Sequence, residues 1–266
     1  MIALDFGIGG METELWRVVF LMTRIGATLF AAPFFGASIV PVPVRIALTG
    51  ALAIFTSIWM PAVATPPALL SAAGMMAIAG EVLVGLALGF VLQLAFAAPT
   101  IAAELIGGGM GMSMATSVDS NSGGSTTAFG QYFTIVLTLI FLATGAHLQW
   151  LALLTESYRA FPPGETWLGA ERFALIAGFG GFLFETALRI ALPVVIVLFL
   201  VQLVTGILSR SAPSLNLMAM GLPAGVLAGL AGLIIAAPLI FDQLTWLVGE
   251  GIGLVGEVLA PPRISP

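Results

Sequence analysis

The 266-residue sequence contains no cysteine, no lysine and a single histidine, and only 8% of its residues are charged. The absence of cysteine excludes disulfides, thiolate metal sites and thiol redox chemistry. The absence of lysine excludes a phosphate-binding loop that ends in Gly-Lys. The eight arginines are outnumbered by thirteen acidic residues. Since nucleic-acid-binding proteins carry a basic surface, we do not expect nucleic acid to be a partner.

The apolar content is too high for a soluble monomer. Hydrophobic residues make up 59% of the chain, and its mean hydropathy is +1.13. A soluble domain carries about 25% charged residues, and a folded chain of this size still exposes about a quarter of its surface. We therefore expect an integral membrane-type protein that contacts lipid, or a subunit of a strongly apolar assembly.

Charge-free stretches indicate an all-α protein with about six apolar helical regions. About 20 apolar residues cross a hydrocarbon core of ~30 Å, whereas barrel strands would need ~10-residue alternating segments, which the sequence lacks. The expected regions are 15–34, 44–63, 69–98, 129–155, 173–208 and 215–248.

Prolines end or interrupt three of these regions. Pro99 is expected to end the third region. Pro193 lies in the fifth region and Pro223 and Pro238 in the sixth, so we expect kinks or breaks there, because proline lacks the amide hydrogen that a helix needs.

Charged residues inside apolar helices should pair or face water, because each costs about 2.5–3.5 kcal/mol to insert. Glu185 and Arg189 are four residues apart, which suits an intrahelical pair. A contact to another subunit or to a water-filled passage is the alternative for them. The remaining candidates for buried charge or subunit contacts are Glu81, Glu104, Arg17 and Arg24. The two arginines share one helix face and are candidate partners of the two acids.

Glycines recur at a spacing of four residues, which flattens a helix face and lets another helix approach closely. The candidate faces are Gly85 with Gly89, Gly221 with Gly225 and Gly229, and Gly249 with Gly253. In a chain with 32 glycines some of these pairs arise by chance.

Residues 107–124 form a stretch rich in Gly, Ser and Met in which Asp119 is the only charge. A loop of this length is uncommon unless it is functional or disordered. Methionine is flexible and fills irregular gaps, so we expect a pore plug; a re-entrant turn buried against neighbouring helices is the alternative. The candidate plug residues are Gly107, Gly108, Gly109, Met110, Gly111, Met112 and Met114.

The sequence offers little support for an enzyme, a cofactor or a metal site. Ser113 and His147 could form a nucleophilic pair, but the sequence supplies neither an orienting acid nor an oxyanion hole. An interfacial, hydrogen-bonded role for His147 is the simpler interpretation. We expect a non-enzymatic protein that binds no cofactor or metal.

Five successive segments carry a family resemblance. They are RIGATLFAAPFFG (24–36) with VPVPVRIAL (40–48), GMSMA (111–115) before Val118-Asp119, the stretch 131–147, SYRAFPPG (157–164), and ALP (191–193) with GILSRSAPSLN (206–216). Together they resemble the FliR family of flagellar biosynthesis proteins over nearly the whole chain. Two positions depart from the family pattern: Ser120 stands where proline is frequent, and Ala146-His147 stands where two histidines are frequent.

The resemblance implies a single export-gate domain over residues 1–266, with N-terminal helices in 15–98, a plug loop in 99–128 and C-terminal helices in 129–248. It implies kinked helical hairpins within a helical assembly in the bacterial inner membrane, at the flagellar basal body. The implied partners are FliP, FliQ and FlhB, membrane lipid, and the unfolded flagellar substrates that pass through the channel.

Two other functions remain open. A virulence-type III secretion subunit of the same family is similar in sequence, and genomic neighbours would separate the two. A secondary transporter is a further alternative, but its broken helices should occupy matching positions in two halves. Pro193 and Pro223 are not spaced in that way.

Overall fold

The computed structural model describes residues 10–36, 40–60, 71–111, 128–163, 169–211 and 217–260. These residues are almost entirely helical and contain no strand, which confirms the expected all-α fold. Within these ranges the helices are α1 (Gly10–Ala31), α2 (Val42–Trp59), α3 (Ala72–Gly109), α4 (Ala128–Ala143), α5 (Ala146–Ala160), α6 (Ala170–Ser211) and α7 (Leu217–Leu259).

Four of these helices, α2, α3, α6 and α7, are long and apolar enough to cross a membrane. The bent pair α4–α5 adds a fifth candidate if it is taken as one span. The fold is therefore that of an integral membrane-type helical protein. α6 has 42 residues, and at 1.5 Å per residue it is about 60 Å long. This length is about twice the thickness of a hydrocarbon core.

Pro99 does not end the third helix, as the sequence suggested, because α3 continues through it to Gly109. The helices α6 and α7 likewise run without a break through Pro193, Pro223 and Pro238. Apolar helices tolerate proline when neighbouring groups or small local adjustments satisfy the backbone carbonyl that it leaves unpaired. Consequently residues 99–109, which the sequence analysis assigned to a loop, are helical.

The fourth apolar region is two helices rather than one. Gly145 separates α4 from α5 and has a φ of 72°, in the left-handed region. Glycine adopts this conformation without the steric cost that a Cβ would add. A single glycine therefore divides a continuous apolar run that showed no other break in sequence.

The chain forms two compact units. The first contains residues 1–94, 145–180 and 250–266. Its centre is α1, whose buried residues follow the three- and four-residue spacing of one helix face. They are Arg17, Phe20, Leu21, Arg24, Ile25, Thr28 and Leu29. α1 packs against α2, and the Phe35 ring after α1 stacks on Trp150 of α5 at 6.1 Å.

The second unit contains residues 95–144 and 181–249. Phe96 of α3 meets Phe141 of α4 edge to face, with ring centroids 5.4 Å apart. Val194 and Leu198 form part of the buried face of α6. An apolar cavity of about 610 Å³ lies between α4 and α7 and is lined by side chains such as Phe129, Leu233 and Phe241.

Candidate functional site

The Arg24 side chain is fully buried in the first unit, and all five of its N–H groups have acceptors. Nε and Nη2 donate to the two carboxylate oxygens of Glu81, each at 2.8 Å. Nη1 donates to the carbonyl and hydroxyl oxygens of Ser157, and Nη2 also donates to the carbonyl of Phe161. The guanidinium lies 4.1 Å from the ring centroid of Tyr158. This arrangement joins α1, α3 and α5 at one point.

In this geometry every N–H donor of the Arg24 guanidinium has an acceptor. A guanidinium has five donors in a planar fork, and two of them match a carboxylate. A buried ion pair is costly to remove from water unless its remaining polar atoms are hydrogen-bonded. Arg24 and Glu81 meet this condition because the other guanidinium donors end on Ser157 and Phe161.

Three residues of the segment SYRAFPPG, which carries part of the family resemblance, belong to this buried cluster. Ser157, Tyr158 and Phe161 are all buried, and α5 continues to Ala160. The Tyr158 hydroxyl donates to the carbonyl of Leu21 at 2.9 Å. This role could not be predicted, because nothing local in the sequence shows that the carbonyls of Ser157 and Phe161 face an arginine from α1.

Two glycines of α3 allow the close helix approach on which this cluster depends. A Cβ on Gly85 would meet the carbonyl oxygen of Arg24 and the Cβ of Ala27. A Cβ on Gly89 would lie 2.5 Å from the carbonyl oxygen of Thr28. The structure therefore places the Gly85–Gly89 face directly against the backbone of α1, as the spacing predicted.

Of the two suggested arginine–glutamate pairs, the one between Arg24 and Glu81 forms. Arg17 instead donates from Nη2 to the carbonyl of Met60 at 2.8 Å and lies 3.6 Å from Glu14. Glu104 is exposed on α3 and has no ion-pair partner among the described residues.

Glu185 and Arg189 form the intrahelical pair that their spacing suggested. Nη2 of Arg189 donates to Oε1 of Glu185 at 2.6 Å. Both side chains are more than half exposed on the isolated chain. The role of this pair in contacts between subunits stays a prediction.

The end of α3 forms a second well-packed site, in the second unit. Met110 is 1% exposed, and its side chain fills the place that a Cβ on Gly229 would occupy. A Cβ on Gly225, one turn earlier, would lie 3.3 Å from the carbonyl oxygen of Met110. Met110 therefore lies in a notch on α7, which we call the Gly225–Gly229 notch.

A hydrogen bond and a backbone turn fix the same point of the chain. Nε2 of Gln202 donates to the carbonyl of Gly109 at 2.8 Å. Gly111 follows with a φ of 79°, which ends the helix in the left-handed conformation that glycine favours. The contact of Gln202 could not be predicted, because a lone glutamine in an apolar helix carries no positional signal.

The first five predicted plug residues lie in α3 or in the turn directly after it. Gly107, Gly108 and Gly109 belong to α3, and Met110 and Gly111 form the turn after it. Met112 and Met114 lie outside the described residues, as does Ser113.

The other predicted glycine faces have no neighbour within the described chain. Nothing lies within 4 Å of a Cβ placed on Gly221, Gly249 or Gly253. Their role in helix packing stays a prediction.

The described residues contain no group of three or more His, Cys, Asp or Glu side chains that could hold a metal ion. His147 lies half-buried in the first turn of α5.

Large apolar side chains cover the outer faces of several helices. Trp59, Ile207, Ile234 and Ile235 are each at least two-thirds exposed. Monomeric soluble proteins rarely show contiguous apolar surfaces of this kind, which mark protein or membrane contacts.

The family model described as "Bacterial export proteins, family 1" matches residues 15–251. The chain belongs to this family of bacterial export proteins, the FliR family. The match starts within α1, ends within α7 and includes the whole of the five helices between them.

Individual relatives agree with this assignment. The flagellar biosynthetic protein FliR of Pectobacterium carotovorum subsp. carotovorum is 31% identical, over 96% of this chain and 97% of the relative. FliR of Bacillus subtilis (strain 168) is 34% identical over 82% of this chain and 85% of the relative. The secretion system apparatus protein SsaT of Salmonella typhimurium is 32% identical over 60% of this chain and 62% of the relative. These matches confirm the resemblance seen in the sequence segments and, with the apolar helices, identify a membrane-embedded component of a protein export apparatus.

Proposed function

We propose that this FliR-family chain is a core subunit of the flagellar type III protein export gate. In this proposal it forms a channel with FliP and FliQ, beside FlhB, in the inner membrane within the flagellar basal body. The channel carries unfolded flagellar substrates. The proposal depends on one observation above all, the similarity to flagellar FliR proteins over almost the full length of both chains.

The lengths and the exposed faces of α6 and α7 favour an assembly of several subunits over an isolated helical bundle. Both α6 and α7 exceed 40 residues, which is about twice the length that a single crossing of the hydrocarbon core requires. Their exposed faces are largely apolar. These faces suit contacts with neighbouring subunits as well as with lipid.

The proposal assigns a non-enzymatic role to the chain. In it, the segment that begins at Met110 and Gly111 and contains Met112 and Met114 seals the pore when no substrate passes. Flexible methionine side chains can close an irregular opening and still yield to different contents. Gly107, Gly108 and Gly109 support this segment from the last turn of α3.

Copurification tests the assembly. The tagged chain is co-expressed with its neighbouring P and Q genes and purified in mild detergent, and the mass and stoichiometry of the product are measured. We expect one large, stoichiometric complex. A monodisperse chain that binds neither partner contradicts the proposal and would favour the transporter alternative.

A second experiment tests the seal. Residues 110–114 are replaced by Gly and Ser, and potassium efflux is measured from cells that contain the assembled complex. Increased efflux with unchanged assembly supports the plug. Unchanged efflux contradicts it.

The match to SsaT supports a second candidate, a subunit of a virulence-type III secretion apparatus. That match covers 60% of this chain, compared with 96% for the FliR relative. This difference in coverage favours the flagellar role. Deletion of the gene separates the two: loss of flagella with intact secretion of other proteins indicates the flagellar role, and the reverse indicates the virulence role.

A further inference from the structure

We propose that a cavity between α1 and α2 binds an anionic phospholipid, with one acyl chain in the cavity and the phosphate of the head group against Arg45. This site goes beyond the proposed export role, and its test does not depend on that role. The segments 24–36 and 40–48, which carry part of the family resemblance, contribute most of the described residues that line the cavity.

The cavity has a volume of about 300 Å³ and largely apolar walls. Side chains such as Met22, Leu29 and Ile46 form these walls. Ligand sites in proteins have volumes of about 300–1,000 Å³, so this cavity suits one acyl chain rather than a whole lipid molecule. Among the described residues that line it, Arg45 is the only one with a charge.

The deepest part of the cavity suits an apolar chain. Leu29 and Thr49 are the buried residues among those that line it. The Thr49 hydroxyl donates to the carbonyl of Arg45 at 2.7 Å, and the methyl group of Thr49 lies 3.5 Å from the place of a Cβ on Gly26. The hydroxyl donor is therefore used within α2, and an acyl chain can enter without displacing that hydrogen bond.

The cavity opens on an exposed apolar face. Phe30, Val42 and Ile46 line it and are each more than half exposed. α2 is one of the helices that are long and apolar enough to cross a membrane. Lipid can therefore reach the opening from the side of α2.

The length of α2 places Arg45 at the level of the lipid head groups. α2 has 18 residues and is about 27 Å long, which is close to the ~30 Å thickness of a hydrocarbon core. When α2 crosses the core, its first turn, which contains Arg45, lies at the boundary with the head groups. Thr49 lies one turn deeper, where the acyl chains begin.

The charge of Arg45 favours an anionic lipid as the occupant. Nε of Arg45 donates to the carbonyl of Val40 at 3.1 Å, which holds the guanidinium at this end of α2. A guanidinium matches the geometry of a phosphate and forms strong, charge-assisted hydrogen bonds with it. An apolar helix of a partner subunit could fill the same walls, but it would bring no negative charge to Arg45.

Lipid binding to the purified full chain tests the site. The chain is purified in mild detergent, and native mass spectrometry measures the binding of dioleoyl phosphatidylglycerol, dioleoyl phosphatidylcholine and inorganic phosphate. We expect phosphatidylglycerol to bind about fivefold more tightly than phosphatidylcholine, which is the effect of one arginine near an anionic lipid. Inorganic phosphate should not bind, because it has no chain to fill the cavity. Equal binding of the two lipids, or binding of phosphate alone, would overturn the inference.

Variants of the cavity locate the bound lipid. Arg45→Gln should lose the preference for phosphatidylglycerol, whereas Arg45→Lys, which still attracts a phosphate as a point charge, should keep most of it. Ile46→Trp fills the cavity from an exposed wall position and should weaken the binding of both lipids several-fold.

Arg210→Gln is the matched control. Arg210 is an exposed arginine in the last turn of the apolar helix α6 and lines neither of the two cavities described. This variant should bind lipid as the wild type does. An equal preference in Arg45→Gln and Arg210→Gln would overturn the inference. If Arg45→Gln does not fold, Ile46→Trp decides, and wild-type binding by that variant overturns the inference.

The assembled complex distinguishes a lipid from a partner subunit as the occupant. The chain is copurified with its neighbouring P and Q proteins, and the lipid preferences of wild type and Arg45→Gln are compared again. A difference that persists in the complex supports the lipid site. A difference that is present in the isolated chain and lost in the complex assigns the cavity to a partner subunit and overturns the inference. Failure to copurify contradicts the proposed function instead, and the measurements on the isolated chain then decide the lipid site.

Discussion

Arg24 and Glu81 lie 57 residues apart in sequence and form a bidentate ion pair in which both side chains are completely buried. Each of the two guanidinium-to-carboxylate bonds is 2.8 Å long. The pair connects α1 to α3, and carbonyls near the end of α5 complete its hydrogen bonds. These hydrogen bonds therefore fix the positions of α1, α3 and α5 relative to one another.

Removing one partner of this pair should destabilise the fold strongly. We expect Glu81→Ala to lower the free energy of unfolding by about 3–5 kcal/mol, because it leaves the Arg24 charge buried and unpaired. The measurement is reversible unfolding of the purified chain in detergent. Glu185→Ala is the matched control: it removes an exposed ion pair and should cost less than about 1 kcal/mol. Equal losses for the two variants would contradict this interpretation of the cluster.

Arg24→Lys should not restore the wild-type stability, although it keeps the charge. Lysine offers three donors without the planar fork of arginine, so some of the Ser157, Phe161 and Glu81 acceptors lose their partner. Each buried acceptor left unpaired costs about 1–3 kcal/mol. A thermal midpoint for Arg24→Lys equal to that of the wild type would show that the fork geometry is unimportant.

Comparing Tyr158→Phe with Tyr158→Leu separates the contribution of the Tyr158 hydroxyl to stability from that of its ring. The variant loses the hydrogen bond to the carbonyl of Leu21, and we expect a cost of about 1 kcal/mol. Tyr158→Leu also removes the ring beneath the Arg24 guanidinium and should cost more. Unfolding in detergent measures both variants, and Tyr132→Phe, at an exposed tyrosine, is the control. A wild-type stability for Tyr158→Leu would contradict the contribution of the ring.

Alanine at Gly85 or Gly89 should destabilise the first unit. Alanine normally stabilises a helix by roughly 0.5–1 kcal/mol relative to glycine, but here the added methyl group meets the backbone of α1. Overpacking of this kind costs about 1–3 kcal/mol. Gly178→Ala, on a helical position with open space around its Cβ, should be neutral or stabilising. The sign of the change in unfolding free energy therefore distinguishes the packed glycines from the open one.

Glu104→Gln should weaken assembly without destabilising the isolated chain. The Glu104 side chain is exposed on an apolar helix, where a carboxylate is costly unless it is paired or in water. If it pairs with a partner subunit, removing its charge should lower the yield of the copurified complex. Glu156→Gln is the control, because Glu156 already pairs with Arg159 within the chain. Equal yields would indicate that Glu104 faces water rather than a partner.

Several features of the fold could be predicted from single segments. The four-residue spacing of Gly85 and Gly89 predicted a close helix contact, because the absence of side chains on one helix face is a local property. The partner helix could not be predicted from that spacing. The same pattern at Gly249 and Gly253 faces open space in the isolated chain.

The boundaries of the helices were harder to predict. Pro99 suggested a helix end, yet α3 continues for ten residues beyond it. Gly145 showed no signal among 32 glycines, yet it divides α4 from α5. At Pro99 the local preference is small compared with the effect of apolar packing around the helix. At Gly145 the local property decides, but nothing in the sequence distinguishes this glycine from the others.

The sequence by itself determined that this protein lies in an apolar environment. An apolar fraction of 59% with 8% charge requires a membrane or an apolar assembly, because no single core can bury so much apolar surface. The succession of segments along the chain determined the family. Only the tertiary structure decided which charges meet, that Ser157, Tyr158 and Phe161 contact Arg24, and that Met110 packs against Gly229. These contacts join residues more than 50 positions apart, and their geometry depends on how the helices pack, which local sequence does not specify.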